Sequence, residues 1–203
     1  MIKEYSPKEK AIYDAVIELF EEGADLNNLT VAKITKKAGI GKGTAYEYFS
    51  DKEEMIAKAL FYNSEIFCKQ LYQGMRQEKD FCSRINYLLI NMEQQVAKAN
   101  CIFRLIHMMS DNSTISRRLK EMVNDALFAN NSAFNIIKRV LEDEYKDRET
   151  PSKEKMEYII LSIYSKIMCY AIFLNENKSK PETERVIMRN MINDGICREV
   201  RAI

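Results

Sequence analysis

Between Thr30 and Phe49 the chain reads TVAKITKKAGIGKGTAYEYF, which brings Lys42, Gly43, Thr44, Tyr46 and Glu47 onto the outer side of one short helical segment. An ammonium group, two hydroxyls and a carboxylate clustered in this way can donate to phosphate oxygens and exchange hydrogen bonds with base edges. The chemistry is recognition of a nucleic-acid surface, with nothing in it that would break a covalent bond. No other stretch of the chain carries a chemical signal of comparable strength.

Such a segment needs a scaffold, and the flanking residues supply one. Val31, Ile34 and Ala38 fall at helical spacing and give a first helix an apolar underside. Gly39 stands where that helix should stop, at a position favouring a left-handed backbone. Ile40 is an apolar plug for the turn, and Gly41 leaves it further freedom. A second helix starts at Lys42, with Ala45, Tyr48 and Phe49 free to pack inward; Ala45 is small enough for a close crossing. Helix, glycine turn and helix form the skeleton of a helix-turn-helix. A helix-glycine-helix corner of an unrelated protein has the same outline.

Upstream, Ser6-Pro7-Lys8-Glu9 is a capping box with proline at the first helical position. It opens a helix with Ile12, Ala15, Val16, Leu19 and Phe20 along one side, closed by Gly23. Downstream, Asp51-Lys52-Glu53-Glu54 is a second capping box, starting a helix directly after Phe49. Three helices and the start of a fourth therefore make up the N-terminal region.

Here the chain resembles the tetracycline-repressor (TetR) family of bacterial regulators, over roughly residues 6 to 60. Ile34, Ala38-Gly39-Ile40, Gly43-Thr44, Tyr46, Tyr48-Phe49 and Lys52-Glu53 fall on its pattern, and the order Gly-Thr-x-Tyr-x-Tyr-Phe-x-x-Lys-Glu is specific. The resemblance implies that Tyr46, Tyr48 and Lys52 hold DNA phosphates, and that Thr30 caps its helix near a phosphate. It implies groove-facing roles for Lys42, Gly43, Thr44 and Glu47, with Gly43 allowing close approach to the bases. Three positions depart from the pattern. Gly41 stands where the family often has serine or threonine, so a phosphate-contacting hydroxyl is missing. Thr35 replaces the usual alanine. Glu47 repels phosphate unless it accepts from a cytosine amino group; a solvated charge or a lysine partner is the competing reading.

Composition bounds these expectations. A chain of 203 residues holds one or two domains, and its net charge of +1 excludes a general polycation. Residues 31–44 nevertheless carry Lys33, Lys36, Lys37 and Lys42 and no acid, a local basic face suited to a site-specific binder with few phosphate contacts. The charged, helix-forming start is not that of a signal peptide, and no apolar run approaches membrane-spanning length, so a cytoplasmic place is expected. Cys68, Cys82, Cys101, Cys169 and Cys197 are scattered without Cys-x-x-Cys spacing and read as reduced thiols, mostly buried apolar fillers. A redox-sensing pair among them is the alternative. A single histidine makes a metal site improbable, and no cofactor is expected.

Beyond Asp51 the chain reads as helix. Gly74 is the only glycine between Gly43 and Gly195. Helices are expected over about 51–75, 80–99 and 101–109, then 113–146 with a bend at Asn130-Asn131, then 152–175 and 181–200. The fold class is all-α, about nine helices, with a helix-turn-helix DNA-binding domain over residues 1–51 and a helical effector-binding and dimerisation domain over 52–203. In the penultimate helix Met156, Ile160, Ile163, Ile167, Tyr170 and Leu174 form a coiled-coil-like seam, with a second apolar set in Ile159, Ala171 and Ile172. Met188, Ile192, Ile196 and Val200 form a seam in the last helix. Helices apolar on two sides suit a homodimer, and the resemblance implies a four-helix interface made by these two helices. Two recognition helices would then face the half-sites of a palindromic operator.

Residues 61–173 are rich in aromatics and methionine, where the resemblance implies a partly apolar effector pocket. Phe103, His107, Met108 and Tyr158 are its candidate lining, although residues of these types at helical spacing are core far more often than pocket. Glu93 either meets a cationic ligand or lies on a solvated face. With one histidine, no glycine-rich phosphate loop and no Gly-x-Ser-x-Gly turn, no catalytic residue is assigned and an enzyme is not expected. The reading is a DNA-binding transcriptional regulator, a repressor released by a small molecule. Two alternatives stand beside it: a DNA-binding factor answering to a protein partner, and a ligand-binding helical module whose helix-turn-helix is vestigial.

Overall fold

The computed structural model describes residues 5–97, 112–128, 135–177 and 179–202. These residues hold nine α-helices and no strand: α1 (Pro7–Glu21), α2 (Val31–Ala38), α3 (Lys42–Tyr48), α4 (Lys52–Met75), α5 (Phe81–Ala97), α6 (Thr114–Phe128), α7 (Ile136–Glu144), α8 (Lys153–Glu176) and α9 (Glu182–Arg201). The fold is all-α, as the periodicity and the scarcity of glycine and proline require. The helix expected over 101–109 and the bend at Asn130-Asn131 lie outside the described residues.

The chain divides into two compact units, one of residues 1–67 and 100–134, the other of 68–99 and 135–203. In the first, Ile12, Tyr13, Val16, Leu19 and Phe20 of α1 meet Ile34 of α2, Ala45 of α3, and Met55, Ile56 and Leu60 of α4. Ile115 and Leu119 of α6 complete this core, an addition that lies far along the sequence. Tyr13 is fully buried and sets its ring edge-on to Phe49 at 5.8 Å between centroids. Burial of so many whole apolar side chains, each contributing about 1.5–3 kcal/mol, fixes the mutual placement of the first four helices.

In the second unit α9 packs on α5 and α8, and α7 packs on α5 and α8. Its core takes Ile85 and Leu89 from α5, Val140 and Leu141 from α7, Ile163 and Tyr170 from α8, and Ile196 from α9. Gly74 has a steric reason here, since a Cβ at that position would run into the Tyr87 phenol. Glu93 neither sits on a solvated face nor stands free for a cation. It accepts from Arg189 at 2.8 Å and from the Tyr170 hydroxyl at 2.5 Å, joining α5, α8 and α9. Burial, and then the nearby carboxylate, push the Tyr170 phenol above its ordinary range.

Three expectations are corrected at the C-terminal end. The seam of α8 faces its own subunit: Ile163, Ile167, Tyr170 and Leu174 are buried together with Ile159 and Ala171. The outward apolar face is instead Tyr158, Leu161, Met168 and Ile172, at steps of three, seven and four residues along the helix, with Leu161 67% exposed. On α9, Ile196 and Val200 are buried, whereas Ile187 and Met191 stand 60% and 65% exposed. Apolarity on both sides also makes α8 long and apolar enough to cross a membrane by composition, with a mean hydropathy of 1.5, so the expectation that no run approaches that length does not hold. Finally, Cys82 and Cys197 are joined by a disulfide, while Cys169 is an exposed free thiol. With the partners separated by 115 positions in the sequence, neither spacing nor composition marks them as a pair.

Candidate nucleic-acid interface

The recognition segment is held from both ends of α2. The Thr30 hydroxyl accepts from the Lys33 amide at 3.2 Å and caps the helix. At the other end Gly39 adopts φ +66°, the Ile40 amide donates to the Thr35 carbonyl at 3.0 Å and the Gly39 amide to Lys36 at 3.3 Å. This pair of bonds is a Schellman stop, which requires the left-handed residue that glycine supplies cheaply. Thr35 is buried, and its hydroxyl donates to the Val31 carbonyl at 2.9 Å, so the departure from alanine leaves no orphaned polar group.

Gly41 then opens α3 with extended backbone and no side-chain cap. Ala45 is fully buried at the crossing, Phe49 is buried, and Tyr48 packs partly against the same core. The remaining side chains of α3 point away from it. Lys42, Gly43, Tyr46 and Glu47 are exposed, Tyr46 to 51%, and Thr44 is half-buried. A Cβ built on Gly43 meets nothing within 4 Å, so no neighbour in the chain demands glycine there.

The structure thus brings Lys42, Gly43, Thr44, Tyr46 and Glu47 to one short helix, with Tyr48 at its end and Thr30 exposed at the start of α2. Lys52 is more constrained. Its ammonium donates to the Asn27 carbonyl at 2.7 Å and lies 3.5 Å from Glu53, bracing the start of α4 against the α1–α2 loop. Glu47 makes no ion pair among the described residues, so the lysine-partner reading finds no partner there.

The basic face is narrower than the sequence suggests. Lys37 pairs with Glu22 at 2.6 Å and Glu18 at 3.2 Å, and these hydrogen bonds, the one to Glu22 first, hold it above the ordinary lysine value. Lys33, Lys36 and Lys42 make no ion pair among the described residues and are exposed. They are the cations left free to meet a polyanion.

Behind α3, the N-terminus of α4 carries a network that the sequence discloses only in part. Asp51 accepts from the Glu54 amide at 2.8 Å, as the capping box requires. The Glu54 carboxylate reaches one residue further back than expected, to the Ser50 amide at 2.6 Å and hydroxyl at 2.7 Å. Arg118 of α6 grips both oxygens of Asp51. These bonds hold the Asp51 carboxyl at about 2, the Arg118 hydrogen bond being the largest cause. Burial pushes the Glu54 carboxyl up, but hydrogen bonds from Lys58 and Ser50 outweigh it and bring the group to about 2. Nothing in local sequence pattern links Arg118 to a residue so far upstream.

Of the candidate effector residues, Phe103, His107 and Met108 lie outside the described residues, and Tyr158 stands 65% exposed on α8. No group of three or more His, Cys, Asp and Glu side chains among the described residues is placed to hold a metal ion.

Against this geometry, residues 12–59 match the family described as bacterial regulatory proteins, tetR family. The chain is 29% identical to the fatty acid metabolism regulator protein of Bacillus subtilis over 77 residues, 38% of this chain and 39% of that protein. It is 21% identical to an HTH-type transcriptional regulator of Staphylococcus aureus (strain USA300) over 173 residues, 85% of this chain and 86% of that one. Among solved structures it is similar to the transcriptional regulator FadR of Bacillus subtilis in complex with stearoyl-CoA. That similarity has a TM-score of 0.63 at 19% identity, covering 92% of this chain and 96% of the other, and it shows a shared fold.

Proposed function

We propose that the chain, whose residues 12–59 match the tetR family of bacterial regulatory proteins, is a regulator of that kind, that its α3 reads a palindromic operator from within a homodimer, and that a small molecule releases it. The observation that carries this reading is the sorting of α3: Ala45 and the adjoining Phe49 lock it to the core, while Lys42, Gly43, Tyr46 and Glu47 face outward with no role in packing. Lys42, Thr44 and Glu47 are base-reading candidates; Thr30, Tyr46, Tyr48 and Lys52 position the phosphate backbone. For Lys52 this means exchanging the Asn27 carbonyl for a phosphate oxygen, a charge-assisted and stronger bond.

Functionally the chain divides at residue 51, with the reader before it and the effector-binding and dimerising part after it. The outward apolar residues of α8 and α9 form the homodimer face, which gives two copies of α3 for two half-sites. The effector class to test first is a long-chain fatty acyl thioester, because the structurally similar Bacillus subtilis FadR holds stearoyl-CoA. Such a ligand releases DNA only through a higher affinity for the released state. The protein acts as a repressor in the cytoplasm and catalyses no reaction.

Selection from a pool of randomised duplexes at physiological salt tests the reading. Enrichment of one short palindrome, lost in Tyr46→Ala and in Lys52→Ala proteins that remain dimeric, is the expected result. Uniform retention that vanishes as salt rises would reduce the claim to nonspecific phosphate binding. No retention by ligand-free protein would leave the motif vestigial. Adding stearoyl-CoA to the selected complex should release the duplex; unchanged retention would remove that ligand class.

A further inference from the structure

Cys82 opens α5 and Cys197 lies in the last turns of α9, with their Cα atoms 5.7 Å apart, a spacing that suits a disulfide without backbone movement. The two sulfurs differ in surroundings. Cys197 is buried at 5% exposure, whereas Cys82 is partly exposed and has the Arg201 guanidinium donating to its sulfur at 3.4 Å. A cation beside an accessible sulfur favours the thiolate, the form that attacks an oxidant. The buried partner is placed to resolve the product.

We propose that Cys82 and Cys197 are a peroxide-responsive thiol pair that reversibly latches the end of α9 to the start of α5. The Cys82 thiolate attacks one oxygen of hydrogen peroxide; the O–O bond breaks, and the hydroxide released takes a proton to become water. The sulfenic acid left on Cys82 is then attacked by the Cys197 sulfur as that thiol loses its proton. The S–O bond breaks, and the departing hydroxide takes the proton as a second water. Two thiols and one peroxide thus give one disulfide and two waters. The latch bears on the helix whose outward residues Ile187 and Met191 we assign to the dimer face. The thiol chemistry itself does not depend on that assignment.

The test uses the full chain with Cys68, Cys101 and Cys169 changed to Ser, reduced and then treated with hydrogen peroxide. Both remaining thiols should become unreactive to a thiol reagent, the chain should lose two hydrogens by mass without forming covalent dimers, and dithiothreitol should restore both. Amide exchange in the last two turns of α9 should slow by roughly tenfold or more on oxidation. In the same background Cys82→Ser should leave the Cys197 thiol reactive after the same peroxide dose. Peptide mapping of the unaltered chain should give the same Cys82–Cys197 linkage, so poor folding of the triple variant would not decide the matter. Persistent thiols, cross-linked chains, or a disulfide that dithiothreitol cannot reopen in the native protein would each overturn the proposal. Unaltered DNA selection alongside such a failure would leave the regulator reading intact.

Discussion

Arg118 of α6 holds both carboxylate oxygens of Asp51, at 2.5 and 2.9 Å, and Asp51 is at the same time the cap of α4. The residue after that cap is Lys52, the candidate phosphate grip. A bidentate guanidinium–carboxylate pair fixes direction as well as distance, so α6 sets where α4 begins. Both side chains are about a third exposed, which screens the pair and limits its contribution to stability. Arg118→Ala should therefore lower stability by only about 1 kcal/mol, yet weaken operator binding several-fold by loosening Lys52. Denaturant melts and duplex titrations on the same protein separate the two effects. A stability loss with unchanged affinity would show that Arg118 does nothing for the grip.

The same network predicts an acid response. Asp51 and Glu54 are both held at about 2, below the ordinary carboxylate values of 3.8 and 4.5. Groups depressed in the folded state stabilise it fully above the unfolded values, and that contribution disappears as pH falls through the folded ones. Stability of the first unit should be flat above about pH 5 and fall between about pH 4 and pH 2. In Asp51→Asn protein the neutral-pH stability should be lower and the acid decline shallower. Parallel declines in the two proteins, followed by circular dichroism, would assign the acid response elsewhere.

Glycines 41 and 43 separate folding from recognition. Gly43 lies inside α3 with open space around it, so Gly43→Ala should stabilise the isolated protein by about 0.5–1 kcal/mol through helix propensity. If α3 closes on base edges there, the added methyl should cost operator affinity tenfold or more. A Gly43→Ala protein that is both more stable and undiminished in binding would place the groove contact elsewhere. Gly41→Ser acts in the opposite sense. Its extended backbone accepts serine, whose hydroxyl can cap α3, for a gain of a few tenths of a kcal/mol and a new phosphate donor. Tighter operator binding is the expected readout.

What the sequence disclosed and what it withheld divide along the range of the interactions involved. The box of Ser6 and Glu9, the Thr30 cap and the Gly39 stop are set by neighbours within a turn or two, and each stands in the structure as read. The burial of Ala45 and Phe49 followed from helical spacing alone. Arg118 on Asp51, Arg189 on Glu93 and Cys82 on Cys197 join residues far apart in the chain, for which no local pattern exists. The shift of the Glu54 carboxylate from the Asp51 amide to Ser50 is short-range, but Arg118 and the Glu54 amide already engage the Asp51 carboxylate. On α8, periodicity showed that the helix is apolar on more than one side but sorted the residues wrongly: the buried side draws on both predicted sets, and of the outward residues only Ile172 belonged to either. Which residues turn inward is set by the packing of α5, α7 and α9 around it.

The outward side of α8 and α9 yields the last prediction. Leu161 at 67% exposure, Tyr158 and Met191 at 65% and Ile187 at 60% are large apolar side chains on a single subunit's surface. Contiguous patches of this kind are uncommon on monomers and mark association sites. A homodimer face should tolerate no charge at its centre, since an arginine buried there lacks a partner and costs several kcal/mol. Leu161→Arg and Met191→Arg should each shift the protein to monomer in sedimentation equilibrium while leaving helix content unchanged. Both should also lose palindrome binding, because a single α3 reaches only one half-site. Ile163→Arg is the contrasting control: that side chain is fully buried within the subunit, so its substitution should unfold the second unit. Dimers that persist in both surface variants would move the interface off these helices.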